Sequence, residues 1–447
     1  MLDLKEDTPT TPQYSPGGFT AMIISIPYGR VFVSLELPSE KVLAILQPSE
    51  LRGVDDGANL VREALGKPFG GYPLSRMALG KEKACIVVSD YTRATPNNIL
   101  LPPIIEELED AGLRADNIRI LVAYGLHKPA SESEIREFLG GEIPREIEIV
   151  NHDATDESSL VYLGMTSFGT RVSVNRLVVE SDLLVLTGLI EPHFFAGYSG
   201  GRKAILPGVS GREAIFNNHS FKMIMHPLSR YGVLDGNPIH EDMVEAAKMV
   251  NVPKYLVNVV IDRMHRIAGA FTGDIFEAHL EGVKFLDRHV KIKPPSKADI
   301  VITSNGGYPL DRDLYQTVKG MATGELVVRK GGAIVVFAEC IDGIGRGHEE
   351  FYRLMVEAKA PEEVLERIRR EEPIKDQWEA QILARILINA KVILVTKNIK
   401  HSIIEEMHMI PASSPEEALE EAYRVTGKDS KIIVIPEGPY TIPDVRG

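Results

Sequence analysis

From about residue 80 onward, short apolar runs alternate with longer amphipathic segments. The runs are Ala84 to Val88, Ile118 to Ala123, Ile147 to Val150, Leu183 to Ile190 and Leu256 to Ile261. A second series follows at Ile300 to Thr303, Ile334 to Ala338, Val392 to Thr396 and Ile432 to Ile435. A strand buried on both faces reads as an unbroken apolar run, and helix-length amphipathic stretches between such runs read as βαβ units. The pattern therefore predicts an α/β fold with mostly parallel sheets flanked by helices. Two of the helices are marked clearly: Asn97 to Ala111, and Glu132 to Leu139, which opens with the capping-box pair Ser131 and Glu134. Residues 21 to 36 read as a hairpin turning at Pro27-Tyr28-Gly29. The stretch from Lys291 to Lys297, with Pro294-Pro295, separates the two series. The expected division is a loose Thr- and Pro-rich tail over 1–19, an N-terminal α/β domain over 20–290 and a C-terminal α/β domain over 291–447. The last strand is a candidate to return to the first domain.

Polar residues gather just after these strands: Ser89-Asp90, Gly125 and His127, Glu191 and His193, then Ser304-Asn305-Gly306-Gly307 and Glu339-Cys340. Open α/β sheets bind ligands at the carboxyl ends of their strands, above all where the strand order reverses. Two facing domains would place such a site in the cleft between them. The densest stretch is Glu191 to His219, EPHFFAGYSGGRKAILPGVSGREAIFNNH, with Gly197, Gly200, Gly201, Gly208 and Gly211 around Lys203, His193 and His219. Glycines in that number point to backbone that bends through positive φ or lies against a ligand. A lysine amine can attack or be attached, and an imidazole can move a proton or bind a metal. A glycine-rich turn with a surface lysine and two ordinary histidines is the plainer alternative.

Composition narrows the partners. Across 447 residues, 50 Lys and Arg face 63 Asp and Glu, a net charge of −13, which argues against nucleic acid or an anionic membrane. A small anion remains open to a locally basic pocket. Two cysteines allow neither a disulfide framework nor a Cys-based zinc site, and Cys85 in ACIVV reads as core. Neither a signal peptide nor an apolar run of transmembrane length is present, so the expectation is a soluble cytoplasmic protein.

Several further groups carry candidate chemistry. In SDYTRATPNN, Arg93 can clamp a carboxylate or phosphate, with Ser89, Asp90 and Thr92 adding hydrogen bonds; a capping turn built by Asp90 and Thr92 is the alternative. His127 in YGLHKP and His193 sit at matched strand ends, where each alone is an ordinary structural histidine but the pair suits proton transfer on two faces of a substrate. In GGYPLDRDLYQTVKG, Gln316 and Lys319 lie three apart on a helix and can face one ligand, beside Tyr315; the alternative is an exposed polar first turn. Trp378, the only tryptophan, is a pocket wall or a packing anchor. Neither an HExxH nor a Walker motif nor a strand-to-helix GxGxxG occurs.

Taken together, SDYTR, GLHKP, EPHFFAGYSGGRKAILPG, NNHS, GGYPLDRDLYQTVKG and the DQWEAQ helix resemble the nickel-dependent lactate racemase family across nearly the whole chain. The resemblance implies two α/β domains, the first binding cofactor, with the active site in the cleft between them. It implies nickel and a nickel-pincer nucleotide, a pyridinium-3-thioamide-5-thiocarboxylic acid mononucleotide, attached covalently at Lys203, with His219 as the protein ligand of the metal. By the same resemblance His127 and His193 are the catalytic acid/bases. Asp90, Thr92, Gly200 and Gly201 lie at the cofactor, and Arg93, Tyr315, Gln316, Lys319 and Trp378 hold the substrate. The implied activity is a racemase or epimerase inverting C2 of a small anionic 2-hydroxy acid, lactate by default, by reversible hydride transfer. Implied partners are that substrate and the enzymes that assemble the cofactor. Ala94 departs from the family, which often has proline after the arginine. Two other readings stay open: a non-catalytic protein that binds the cofactor or an anionic metabolite, and a hydro-lyase or dehydrogenase with ordinary cofactors.

Overall fold

A computed structural model of the chain describes residues 13–14, 21–140 and 143–445. The tail expected over 1–19 lies, apart from residues 13–14, outside these. The chain forms two compact units: Ser49–His289, and the residues up to Pro48 together with those from Val290 onward. In chain order the principal strands are β1 (Ala21–Tyr28), β2 (Val31–Pro38), β3 (Val42–Ile45), β4 (Ala84–Ser89), β5 (Ile118–Ala123), β6 (Glu148–Asn151) and β7 (Leu183–Leu189). They continue with β8 (Lys254–Ile261), β9 (Ile267–Gly273), β10 (Ala298–Ser304), β11 (Val328–Phe337), β12 (Lys391–Val395), β13 (Ile410–Ala412) and β14 (Ile432–Ile435).

The Ser49–His289 unit holds a sheet ordered β9-β8-β7-β4-β5-β6. All its pairings are parallel except β8 with β9, which run antiparallel. The chain moves outward from β4 to β5 and β6, then jumps back to β7 on the other side. The strand order thus reverses between β4 and β7, the place where such sheets receive ligands. β7 is buried along its whole length, which its apolar run LLVLTGL requires at the sheet's centre. Of the helices foreseen here, α1 (Asn97–Asp110) follows β4, and α2 (Glu132–Leu139) carries both hydrogen bonds of its Ser131–Glu134 capping box.

The second unit holds an all-parallel sheet ordered β13-β12-β11-β10-β14-β3. Its reversal lies between β10 and β14. Residues 21–48, read from the sequence as the start of the N-terminal domain, belong here: β3 pairs along β14, and Ile24, Ile26, Leu35 and Leu37 join the core with Ile300, Val335 and Val434. The last strand does not return to the other unit, because β14 is buried throughout as Ile-Ile-Val-Ile and needs a neighbour on each side, β10 and β3. β9 was not foreseen: its sequence IAGAFTG alternates in burial and carries two glycines, unlike the solid apolar runs. Among the described residues no helix is long and apolar enough to cross a membrane.

Candidate functional site

The loops at the β4/β7 reversal carry most of the candidate residues. After β4, the Asp90 carboxylate is buried and faces His127, with Oδ2 at 2.6 Å from Nδ1. Its other oxygen accepts from the Thr92 amide at 2.9 Å and hydroxyl at 2.6 Å. Burial pushes this carboxyl up, but His127, Thr92 and Arg93 outweigh that and hold it below the usual range. The turn alternative holds in part, since Asp90 satisfies the Thr92 amide, although α1 itself begins at Asn97 with no side-chain cap. Asp90 also fixes His127, whose Nδ1 points to the carboxylate and whose side chain is 44% exposed.

After β7 the glycine-rich stretch wraps around one aromatic ring. His193, in the short strand Pro192–His193, is buried and lies edge-on to Phe195 at 4.5 Å; its Nδ1 accepts from the Ala196 amide at 3.3 Å. The His219 ring meets the same phenyl at 5.0 Å, and the Lys203 ammonium lies 5.7 Å from its centre. Three residues separated in sequence thus converge on Phe195. Lys203 sits in the 3-10 turn Gly201–Ala204, and His219 closes α3 (Arg212–Asn218). Gly200 and Gly201 have φ of 76° and 56°. A Cβ on Gly200 would come within 2.5 Å of Asn258 Oδ1, the atom that accepts the Gly201 amide at 2.7 Å. The His127 loop joins this stretch through the Gly125 amide, which donates to Gly208 O at 3.0 Å.

Arg202, which sequence reasoning passed over, holds the stretch in shape. It is fully buried, and its guanidinium donates to Ala196 O and Tyr198 O at 2.8 Å each and to Gly200 O at 3.2 Å. Burial lowers its pKa to about 9, which leaves it charged near neutrality. His279 Nε2 lies 2.8 Å from Ser199 O and so must carry the proton. Its 3.1 Å approach to Arg202 Nη1 then sets donor against donor and is a packing contact. The only hint in the sequence was the position of Arg202 inside GGRK.

In the other unit, α4 (Leu314–Val327) is capped by Asp313, which accepts from the Gln316 amide at 2.8 Å. One turn on, the Lys319 ammonium donates to Gln316 Oε1 at 2.5 Å, so the two residues expected on one face do meet. Tyr315 donates to Asp376 at 3.1 Å and accepts from the Trp378 indole at 3.2 Å. Trp378 lies in the first turn of α5 (Gln377–Asn389). Glu379, next in the DQWEAQ segment, is buried; burial drives its carboxyl well above the usual range and the Lys319 charge offsets this only in part, so it stays protonated. Burial, with the Asp376 charge adding, also keeps the Tyr315 hydroxyl protonated.

The residues around Phe195 suit the implied cofactor. Burial, reinforced by the Lys203 charge, lowers the His219 imidazole to about 3, so it is neutral and can offer a lone pair to a metal. Among the described residues no three His, Cys, Asp or Glu side chains gather as a metal-holding group. A metal at His219 would draw its other ligands from a bound organic group, and the Lys203 amine beside it could anchor one.

Known proteins match over the same span. Residues 28–232 fit the family model of the lactate racemase N-terminal domain, and residues 293–442 that of the lactate racemase C-terminal domain. The chain is 43% identical over 426 residues to a lactate racemase of Thermoanaerobacterium thermosaccharolyticum, covering 94% of this chain and 98% of that protein. It is 38% identical over 420 residues to a lactate racemase of Lactiplantibacillus plantarum, with 93% and 98% covered. The structure of the lactate racemase apoprotein from T. thermosaccharolyticum aligns with a TM-score of 0.88 at 42% identity, over 94% of this chain and 99% of that one. A Thermotoga maritima protein shares the fold at 19% identity and a TM-score of 0.65, over 87% and 99%. With both halves matched and the relatives covered almost end to end, the chain belongs to the lactate racemase family of isomerases.

Proposed function

We propose that this protein racemises lactate or a close 2-hydroxy acid, with a nickel-pincer nucleotide held at Lys203 and His219 and with His127 and His193 as the two acid/bases. The observation that carries the reading is the convergence of His193, Lys203 and His219 on Phe195 beside the β4/β7 reversal. Removing the Cα proton of an unactivated hydroxy acid would leave a poorly stabilised carbanion. When bound, the pyridinium of the cofactor supplies a reversible hydride acceptor that avoids this species. The protein's part is to bind, orient and move the hydroxyl proton. His127 takes or returns that proton for one enantiomer, its ring held by the Asp90 carboxylate at 2.6 Å. His193 serves the other, with Nδ1 occupied by the Ala196 amide and Nε2 therefore the nitrogen that exchanges the proton. The Arg93 guanidinium is assigned to the substrate carboxylate, and Tyr315, Gln316, Lys319 and Trp378 to substrate binding. Gly200, Gly201, Asp90 and Thr92 are assigned to the cofactor's surroundings.

The test is to co-produce the protein with cofactor-assembly enzymes and to compare His127→Gln and His193→Gln with the parent. Each substitution is expected to lower racemisation by about 100-fold or more, the scale of a lost general acid/base. The nucleotide-sized mass at Lys203 and the bound nickel should persist in both. Unchanged turnover in both variants would sink the two-base reading, and a properly supplied parent without adduct or nickel would sink the covalent holoenzyme.

A further inference from the structure

His348 belongs to none of the groups considered so far. It stands at the start of the helix Glu349–Val356, with its side chain 20% exposed. Its imidazole lies flat on the Tyr315 ring, with centroids 3.6 Å apart and planes within 7°. Its Nδ1 is 2.8 Å from Asp376 Oδ2. The other oxygen of that carboxylate accepts the Tyr315 hydroxyl, which in turn accepts the Trp378 indole N–H. Asp376 itself sits in the left-handed region, with φ 64° and ψ 3°, directly before α5. A residue with a Cβ holds that conformation at a cost and keeps it only where its surroundings over-determine it. Here the two hydrogen bonds on its carboxylate do so, one from His348 and one from Tyr315.

We infer that His348 is a positioning residue: it holds Asp376 and, through that carboxylate, sets where Tyr315 and Trp378 stand. The inference deepens the proposed function, because it rests on those two side chains being the ones that hold the substrate. His348 touches Tyr315 in two separable ways, directly by stacking and indirectly through Asp376, and only the second reaches the backbone turn that launches Trp378. With Asp376 released, the Tyr315 hydroxyl loses its acceptor and the indole loses a fixed partner, so Trp378 becomes more exposed to water.

Trp378 is the chain's only tryptophan, so its fluorescence reports this group alone. Three substitutions in the full chain separate the contacts. His348→Ala removes both, His348→Phe keeps a flat ring on Tyr315 but no donor, and His348→Asn keeps an N–H close to the place of Nδ1 but no stack. The emission maximum is expected to move to longer wavelength, with easier acrylamide quenching, in the Ala and Phe variants, and to stay near the parent in the Asn variant. Unmoved emission in the Ala and Phe variants, or recovery by Phe and not by Asn, would overturn positioning through Asp376. Should the Ala variant not fold, the Phe and Asn pair decides by itself. Kinetics of the cofactor-loaded enzyme then address the underlying reading separately. A KM for lactate raised roughly tenfold in His348→Phe, the weight of one charged hydrogen bond, with kcat little changed, ties the wall to the substrate. Shifted emission with an unchanged KM leaves the positioning role standing and removes Tyr315 and Trp378 from the substrate site.

Discussion

At the scale of single residues, two carboxylates of this chain are held in opposite protonation states, and each has a measurable consequence. Asp90 is kept ionised because His127, Thr92 and Arg93 outweigh its burial. On the proposed function, Asp90→Asn keeps the shape but removes the charge that orients His127, so kcat is expected to fall at least tenfold with KM little altered, as steady-state rates in both directions would record. Glu379 is kept neutral by burial. In strong acid the folded and unfolded chains both hold that proton, and nothing is lost. As the pH climbs past the ordinary carboxyl range, the unfolded chain ionises while the folded one does not, so stability drains away until the raised native value is passed. Glu379→Gln removes this slope. Its melting temperature should therefore gain on the parent as the pH rises above the ordinary carboxyl range; a difference that is flat with pH would count against a neutral Glu379.

Among the elements, the turn that carries Lys203 is the most exacting. Gly200 has φ 76° with ψ −174°, a region open almost only to glycine, and a Cβ there would press on the side chain that anchors Gly201. Gly200→Ala is expected to cost about 1–3 kcal/mol by denaturant titration and, on the proposed function, to reduce the cofactor mass recovered at Lys203. The glycine-rich stretch was legible in the sequence because it concentrates unusual residues within one segment. The strands were legible for a related reason: β7, β14 and the second half of β11 (residues 333–337) are buried on both faces, so each writes itself as a solid apolar run. β9 alternates and carries glycines, so no such run marks it. His348 was invisible because its partner Asp376 lies 28 residues away, and no local pattern announces a contact between a loop histidine and a helix-start aspartate.

For the whole molecule, the assignment of residues 21–48 was the part that sequence order hid. A reading along the chain gives each domain one continuous segment, yet β3 completes the sheet of the unit formed by the C-terminal residues. β14 would otherwise present a bare edge of four buried apolar residues. A fragment of residues 290–447 alone is therefore expected to aggregate, and the same fragment with residues 21–48 joined to it by a flexible linker to stay monomeric. Size-exclusion chromatography of the two would decide, and a well-behaved short fragment would show that β3 is dispensable.

Because that sheet is assembled from segments on either side of the Ser49–His289 unit, the order of synthesis matters. The Ser49–His289 unit is continuous and can fold as soon as it leaves the ribosome. The first hairpin and β3 emerge before it but have no sheet to join until β14 has been made. Throughout that interval their apolar faces and open strand edges are available to any other nascent chain or to a chaperone. The unit holding Lys203 and His219 is thus finished well before the unit holding Tyr315 and Lys319. Completion of β14, rather than completion of the Ser49–His289 unit, is the moment at which this protein first has both of its sheets.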